Sequence, residues 1–379
     1  MSIPLFEPIT LRGVTAANRL ALSPMCQYSA VDGMLSDWHF ANLSRFALGG
    51  FGIVMVEATA VNLEGRVGYG DVGLWKDEQI APLRRLAGFL KEHGSIPAIQ
   101  IGHAGRKAAT QRPWEGAGPL PPGGSETPWQ VVAPSAAAMS DGWPMPQALD
   151  RDAMDRLRED WVAATCRAAA AGFELLEVHA AHGYLLHTFL SPLSNLRNDA
   201  FGGDLAGRMR YPLEIIAAVR AAWPQDKPLS VRISAVDGLV GGWSIEDSVV
   251  FAKGLKRVGV DLVDCSSGGL GGGVTAARLP RTDGYQVPFA AQVRREAEIG
   301  TIAVGLIRDP HAANDIIAEG LADIVAIGRE ALVEPNWPHL ALHALSGAPH
   351  YQKWPSQAGW WLERRDASIA ASSVKQHQK

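Results

Sequence analysis

The sequence predicts an α/β chain folded as a (β/α)8 TIM barrel, and three observations predict it. Eight short runs of aliphatic and β-branched residues recur along 379 residues, apolar at nearly every position, as parallel strands covered on both faces must be. Helical patterns fall between these runs, and Gly94, Gly172, Gly259 and Gly320 follow helix ends, where a left-handed cap is expected. The third observation excludes the main rival: a doubly wound sheet needs a Gly-x-Gly-x-x-Gly phosphate turn after its first strand, and this chain has none there. A hydrophobic content of 47% and a mean hydropathy near zero let one large core fill this length.

Taken in order, the chain opens with a short segment holding Leu5 to Leu11. The expected strands are Arg19 to Pro24, Gly52 to Glu57, Ile96 to Ile101, Phe173 to Val178, Leu229 to Ile233, Asp261 to Cys265, Ile302 to Val304 and Ile324 to Ile327. Helical patterns cover Asp77 to Glu92, Arg151 to Ala171, Arg208 to Trp223, Ile245 to Val258 and Pro310 to Glu319. Two excursions interrupt the alternation. Residues 104–149, dense in Pro, Gly and Trp, are too long for an ordinary βα loop and predict a lid or contact arm after the third strand. A second excursion runs from His187 to Gly207. Residues 1–365 are expected to form one domain, and the polar stretch 366–379 a flexible tail.

Charge and cysteines exclude several classes. A net charge of −4 without a basic patch argues against nucleic acid or an acidic membrane as partner. The start has no basic region followed by an apolar one, and no run is long enough to span a bilayer, so a soluble cytoplasmic protein is expected. Cys26, Cys166 and Cys265 are far apart and form no C-x-x-C pair. They give neither a disulfide framework nor a zinc or iron–sulfur ligand set.

A barrel places its chemistry at the C-terminal ends of its strands. Those ends here are Cys26, Ala58, Gln100 with His103, His179 with His182, Arg232, Ser266 with Ser267, Gly305, and Gly328 with Arg329. His179 and His182, three residues apart, can donate to one oxygen, and Tyr184 can deliver a proton nearby. That set suits polarising a carbonyl and protonating its neighbour; a His-x-x-His metal site and two satisfied loop histidines are the alternatives. Gly305, Gly328 and Arg329 stand where barrels bind phosphate, though a glycine there also serves as a plain turn. Arg232 and Gln100 match the pyrimidine edge of a flavin, or else an internal ion pair and a satisfied amide. Cys26, at the end of Ser23-Pro24-Met25-Cys26, is a thiol able to tune a redox ring or a small core residue.

The motifs Ser23-Pro24-Met25-Cys26-Gln27-Tyr28, Gln100 through His103-Ala104-Gly105-Arg106-Lys107, Glu177-Val178-His179-Ala180-Ala181-His182-Gly183-Tyr184-Leu185, Phe189-Leu190-Ser191-Pro192-Leu193-Ser194-Asn195 and Ile327-Gly328-Arg329-Glu330 occur in one order. In that order the chain resembles the old yellow enzyme family of flavin-dependent ene-reductases, in its thermophilic-like bacterial class. The resemblance extends from Leu5 to Arg364. It implies a bound FMN, with Ser23, Pro24, Met25, Cys26, Ala58, Gln100 and Arg232 around the ring and ribityl chain and Gly305, Leu306, Gly328 and Arg329 at the phosphate.

It further implies that NADPH or NADH is the cosubstrate and a small-molecule activated alkene the substrate. His179 and His182 would hold the substrate oxygen, Tyr184 would supply the proton, Cys26 would modulate the flavin and Tyr28 would position the substrate. Lys107 would support the flavin side. Trp361 and Arg364, within the doubled Trp360-Trp361 and Arg364-Arg365, resemble a C-terminal finger that enters a neighbouring subunit's site, which implies a homodimer or homotetramer. Gly207-Arg208 departs from the Asn that the family carries before its arginine. Chemistry alone also favours these residue types: two preorganised donors stabilise charge building on an enone oxygen by roughly 3 kcal/mol each. A phenol with a pKa of about 10 keeps its proton at neutral pH. Another FMN-barrel oxidoreductase is the nearest competing function. A metal-dependent hydrolase is opposed by the cationic Arg232 and Arg329.

Overall fold

The computed structural model describes residues 2–271 and 279–376. Eight parallel strands close into a barrel in chain order: β1 (Leu20–Leu22), β2 (Ile53–Ala60), β3 (Ile96–Gly102), β4 (Leu175–Ala180), β5 (Leu229–Ser234), β6 (Leu262–Ser266), β7 (Gly300–Ala303) and β8 (Ile324–Ile327). β8 closes onto β1 with Ile327 opposite Leu22. All eight lie at or within a few residues of the positions expected from the apolar runs.

Helices α1 (Asp37–Leu48), α2 (Ile80–Glu92), α3 (Arg151–Ala170), the short α4 (Leu185–Leu190), α5 (Leu205–Ala222), α6 (Ile245–Arg257), α7 (Val287–Ala297) and α8 (Pro310–Ala318) alternate with the strands. They cover outward strand residues such as Val54, Ile99, Val178 and Val231 in the main core. Gly94, Gly172, Gly259 and Gly320 have φ of 82°, 90°, 90° and 67°, the left-handed caps expected of them. At Gly207 a Cβ would come within 2.1 Å of Gly202 O. The departure from Asn is thus a matter of space at the start of α5, where Asp204 caps the Gly207 N–H at 2.8 Å.

Side chains alternate between the two faces of a strand, so the barrel interior can be followed upward in columns. Ile96, Ala98, Leu175 and Leu262 join Ile53 and Ile324 in an apolar floor, sealed from below by Val14 and Ala16 of an N-terminal hairpin. Two residues higher the same columns turn polar: Gln100 on β3, Glu177 then His179 on β4, and Asp264 then Ser266 on β6. β5 contributes Ser230, Arg232 and Ser234 to this layer. A polar layer on an apolar floor is what brings the site to the mouth.

The 104–149 segment folds back against that mouth through Leu120 and Val131, buried with Ala104 and Ala108. After β8 come α9 (Arg329–Val333), α10 (Trp337–Ser346) and α11 (Ser356–Gln376). The stretch from Asp366, expected to be a flexible tail, continues α11 to Gln376. It contains no Gly or Pro, and the Ser368 and Ser372 hydroxyls donate to carbonyls one turn earlier. Residues 377–379 of that expectation lie outside the described residues. No helix among the described residues is long and apolar enough to cross a membrane.

Candidate active site

The strand ends open onto a cavity of about 460 Å³. Ser23, Pro24, Met25 and Cys26 follow β1 along its wall, joined by Ala58, Gln100, Arg232, His179, His182 and Tyr184. Gly305 and Leu306 after β7, and Gly328 and Arg329 after β8, line it as well. Tyr28 stands one step outward, in a second cavity of about 600 Å³ that shares His182 and Tyr184 and is walled by Thr110, Met139, Ser140 and Trp143 of the 104–149 arm. Trp361 and Arg364 line neither cavity. They project from α11, where Trp361 is 69% exposed and Arg364 stacks over Trp360 at 5.2 Å.

The loop after β4 turns sharply, with His182 at φ 58° and Gly183 at φ 77°. Glycine is required at 183, because a Cβ there would meet Gly269 O at 2.4 Å. His179 Nδ1 accepts the Ala181 N–H at 3.2 Å, which leaves the ring proton on Nε2. That nitrogen lies 3.3 Å from His182 Nδ1, and His182 Nε2 lies 2.7 Å from Ser266 Oγ. Burial, and then the charge of Arg232, holds both imidazoles well below the ordinary histidine pKa. Both rings are therefore neutral at neutral pH, each with one N–H. The Tyr184 ring rests on His179 at 4.5 Å, and burial raises its phenol pKa well above the ordinary value. Burial, then Asp71 and Glu57, does the same to the Cys26 thiol, which stays protonated.

Beneath these groups, Arg232 Nε lies 3.2 Å from Asp264 Oδ2, while Gln100 Nε2 donates to Glu177 Oε1 at 2.8 Å. Glu177 Oε2 accepts from Ser230 Oγ at 2.9 Å. Burial, then Asp264, pushes the Glu177 pKa up, and burial raises that of Asp264. An unpaired buried charge costs several kcal/mol. With Arg232 the one cation of this group, one of the two carboxyls keeps a proton.

Neither reading of Arg232 and Gln100 thus excludes the other. The pair is engaged internally, yet Arg232 Nε makes no hydrogen bond of good geometry, and no donor among the described residues reaches Gln100 Oε1. A guanidinium beside a free amide oxygen suits a ring edge of alternating carbonyl and imide groups. At the far end Gly305 has φ 117° and Leu306 φ 52°, a left-handed turn of the kind that points backbone N–H groups at an anion. A Cβ at Gly305 would meet Gln286 Nε2 at 2.7 Å. The residues present thus fit FMN.

Some contributors carried no signal in the spacing. Tyr285, Gln286 and Arg308 also line the cavity, and Gln286 ties two strand ends together through Val304 O (3.1 Å) and Ser267 Oγ. Lys107 does not face the flavin side as expected. Its ammonium donates to His182 O at 2.8 Å and to Gly269 O, so it holds the histidine loop. His103 also turns aside, accepting the Gly105 N–H at 3.0 Å. Among the described residues no group of three or more His, Cys, Asp or Glu side chains is arranged to hold a metal ion.

A closed (β/α)8 barrel whose mouth fits FMN defines a flavin oxidoreductase. Residues 4–346 match the NADH:flavin oxidoreductase / NADH oxidase family. An NADPH dehydrogenase of Geobacillus thermodenitrificans is 42% identical over 347 residues, spanning 91% of this chain and 95% of that protein. One from Listeria monocytogenes is 43% identical over 333 residues, spanning 87% and 92%. Among solved structures, morphinone reductase superposes with a TM-score of 0.72 at 26% identity, over 91% of this chain and 90% of that one. An old yellow enzyme homologue from Zymomonas mobilis superposes with a TM-score of 0.73 over 92% of this chain and 96% of that one; its 23% identity speaks for the fold alone. The chain belongs to the NADH:flavin oxidoreductase family of old yellow enzymes, with FMN as cofactor and a nicotinamide as cosubstrate.

Proposed function

We propose that the protein reduces activated C=C bonds in enones, enals, maleimides and nitro compounds, with NADPH or NADH as donor. One observation carries the reading: two neutral imidazoles, His179 buried and His182 half-buried, stand beside a protonated phenol in the cavity that Gln100 and Arg232 line. FMN, when bound, supplies the hydride that reaches the β-carbon. The protein's own residues do the rest. A substrate oxygen between the rings replaces His182 Nδ1 as acceptor of the His179 N–H. Ser266, whose hydroxyl can donate as well as accept, then lets His182 carry its proton on Nδ1 and offer a second donor. Tyr184 gives its proton to the α-carbon and is reprotonated from the outer cavity. Cys26, as a neutral thiol, tunes the ring, and Tyr28 orients the substrate.

Trp361 and Arg364 complete a neighbouring subunit's site in a homodimer or homotetramer. Their exposure on α11 supports this, and Arg364 would have to leave Trp360 to do so.

Reduction of cyclohexenone tests the assignment. Deuterium from labelled nicotinamide should appear at the β-carbon and deuterium from solvent at the α-carbon. Tyr184→Phe should slow the alkene step by about 10²-fold or more while flavin reduction by NADPH stays near wild type. Equal slowing of both halves would remove Tyr184 from the proton step.

A further inference from the structure

Behind the His182–Gly183–Tyr184 turn lies a polar chain that the mechanism above does not use. His187, Ser191 and Asp237 are fully buried. The Gly183 N–H donates to His187 Nδ1 at 2.8 Å. That acceptor role places the ring proton on Nε2, 2.9 Å from Asp237 Oδ1. Asp237 Oδ2 in turn accepts from Ser191 Oγ at 2.7 Å and from the Trp243 N–H at 2.8 Å. Polarity therefore runs one way: the carboxylate fixes the tautomer, and the tautomer fixes the peptide N–H.

Packing alone does not call for this arrangement. Apolar side chains of similar volume would attach α4 to the barrel without burying an imidazole and a carboxylate, though they would leave the Gly183 and Trp243 N–H groups without partners. What the polar chain adds is direction. His182 holds a left-handed φ that non-glycine residues rarely adopt, and its turn is gripped at three backbone atoms. Ser234 Oγ accepts the His182 N–H at 2.9 Å, Lys107 Nζ donates to His182 O at 2.8 Å, and His187 takes the Gly183 N–H. The residues on either side of Gly183 are the two whose aim matters most: one imidazole of the oxygen clamp and the proton donor.

We infer that His187, its tautomer set by Asp237, is a positioning residue of the active site that fixes the peptide between His182 and Tyr184. The inference rests on the roles proposed above for those two residues; neither His187 nor Asp237 lines the cavity. His187 is the third residue of α4, with Tyr184 as N-cap, so its ring reaches back over the helix start as the Glu or Gln of a capping box does. Glutamine at this position can make both bonds, its carbonyl taking the Gly183 N–H and its amide reaching Asp237. Leucine can make neither.

The test titrates FMN-loaded protein with 4-hydroxybenzaldehyde and follows the flavin visible spectrum. His187→Leu should bind the phenol about tenfold or more weakly with FMN retained, and His187→Gln should recover most of that loss, as misplacement of a positioned group predicts. Binding by His187→Leu as tight as wild type overturns the inference, as does a His187→Gln variant no better than leucine. A wild type whose spectrum ignores the phenol removes the oxygen clamp itself, a separate failure. Should His187→Leu not fold, nitrogen NMR of the wild-type ring decides: a neutral imidazole with its proton on Nε2 is expected, and a proton on Nδ1 overturns the inference.

Discussion

Asp71 has no part in the proposed chemistry, yet it acts electrostatically on Cys26, Tyr28 and Tyr184. Burial pushes its carboxyl up to about 7. One oxygen accepts the Val67 N–H while the other has no partner among the described residues, as suits a protonated acid. Because this pKa lies above the ordinary value of about 4, the folded state binds the proton more tightly than the unfolded chain. Asp71 therefore adds stability as pH falls from about 7 toward about 4, and nothing more below that. His103, lowered to about 4 by burial, acts with the opposite sign, losing stability as pH falls through the same range. The difference between wild type and Asp71→Asn isolates the carboxyl. It should favour wild type increasingly toward pH 4, by up to about 4 kcal/mol, in urea unfolding at several pH values. A difference that does not vary with pH would contradict the assignment.

The sequence was most legible at this scale where strand ends expose single residues. His179, Arg232 and Gln100 stand at such ends. Glu177 and Asp264 stand one inward step below His179 and Ser266, inside runs that are otherwise apolar. Their partnership with Gln100 and Arg232 depends on the register between strands, which pairs Gln100 with Glu177 and Arg232 with Asp264. No single run encodes that register.

Among the elements, the strands were legible because burial on both faces leaves a continuous apolar run. α4 was not: its six residues are too few to show a helical period, and four of them fall in the second excursion, where no helix is expected. α11 continues past Asp366. A polar, small-residue stretch reads as a frayed end, yet without Gly or Pro it carries the helix onward.

The same helix bears on assembly. Trp360 meets Trp361 edge-on at 4.6 Å and also carries Arg364, leaving Trp361 the more exposed indole. If α11 serves a neighbouring site, light scattering should show at least a dimer, and Trp361→Ala should weaken alkene binding without loss of FMN. A wild-type monomer with full turnover would confine α11 to its own barrel.

At the scale of the molecule, barrel closure brings together side chains that lie more than 200 residues apart along the chain. Gln100, His179 and Arg232 come from one side of the ring of strands, Gly305 and Arg329 from the other. A sequence pattern locates each strand end; only closure shows that one cavity spans them. The same closure seats Gln286 beside Gly305 from a loop that no spacing marks.

On the proposed function, this cavity runs two half-reactions on one flavin. The most direct test is the visible spectrum of the FMN-loaded protein, followed without oxygen through addition of NADPH and then of cyclohexenone. The flavin absorption should bleach with NADPH and return with the enone. Bleaching without return would contradict the alkene-reducing role while leaving a nicotinamide-dependent flavin oxidoreductase, and a protein that takes up no FMN would contradict the account of the cavity itself.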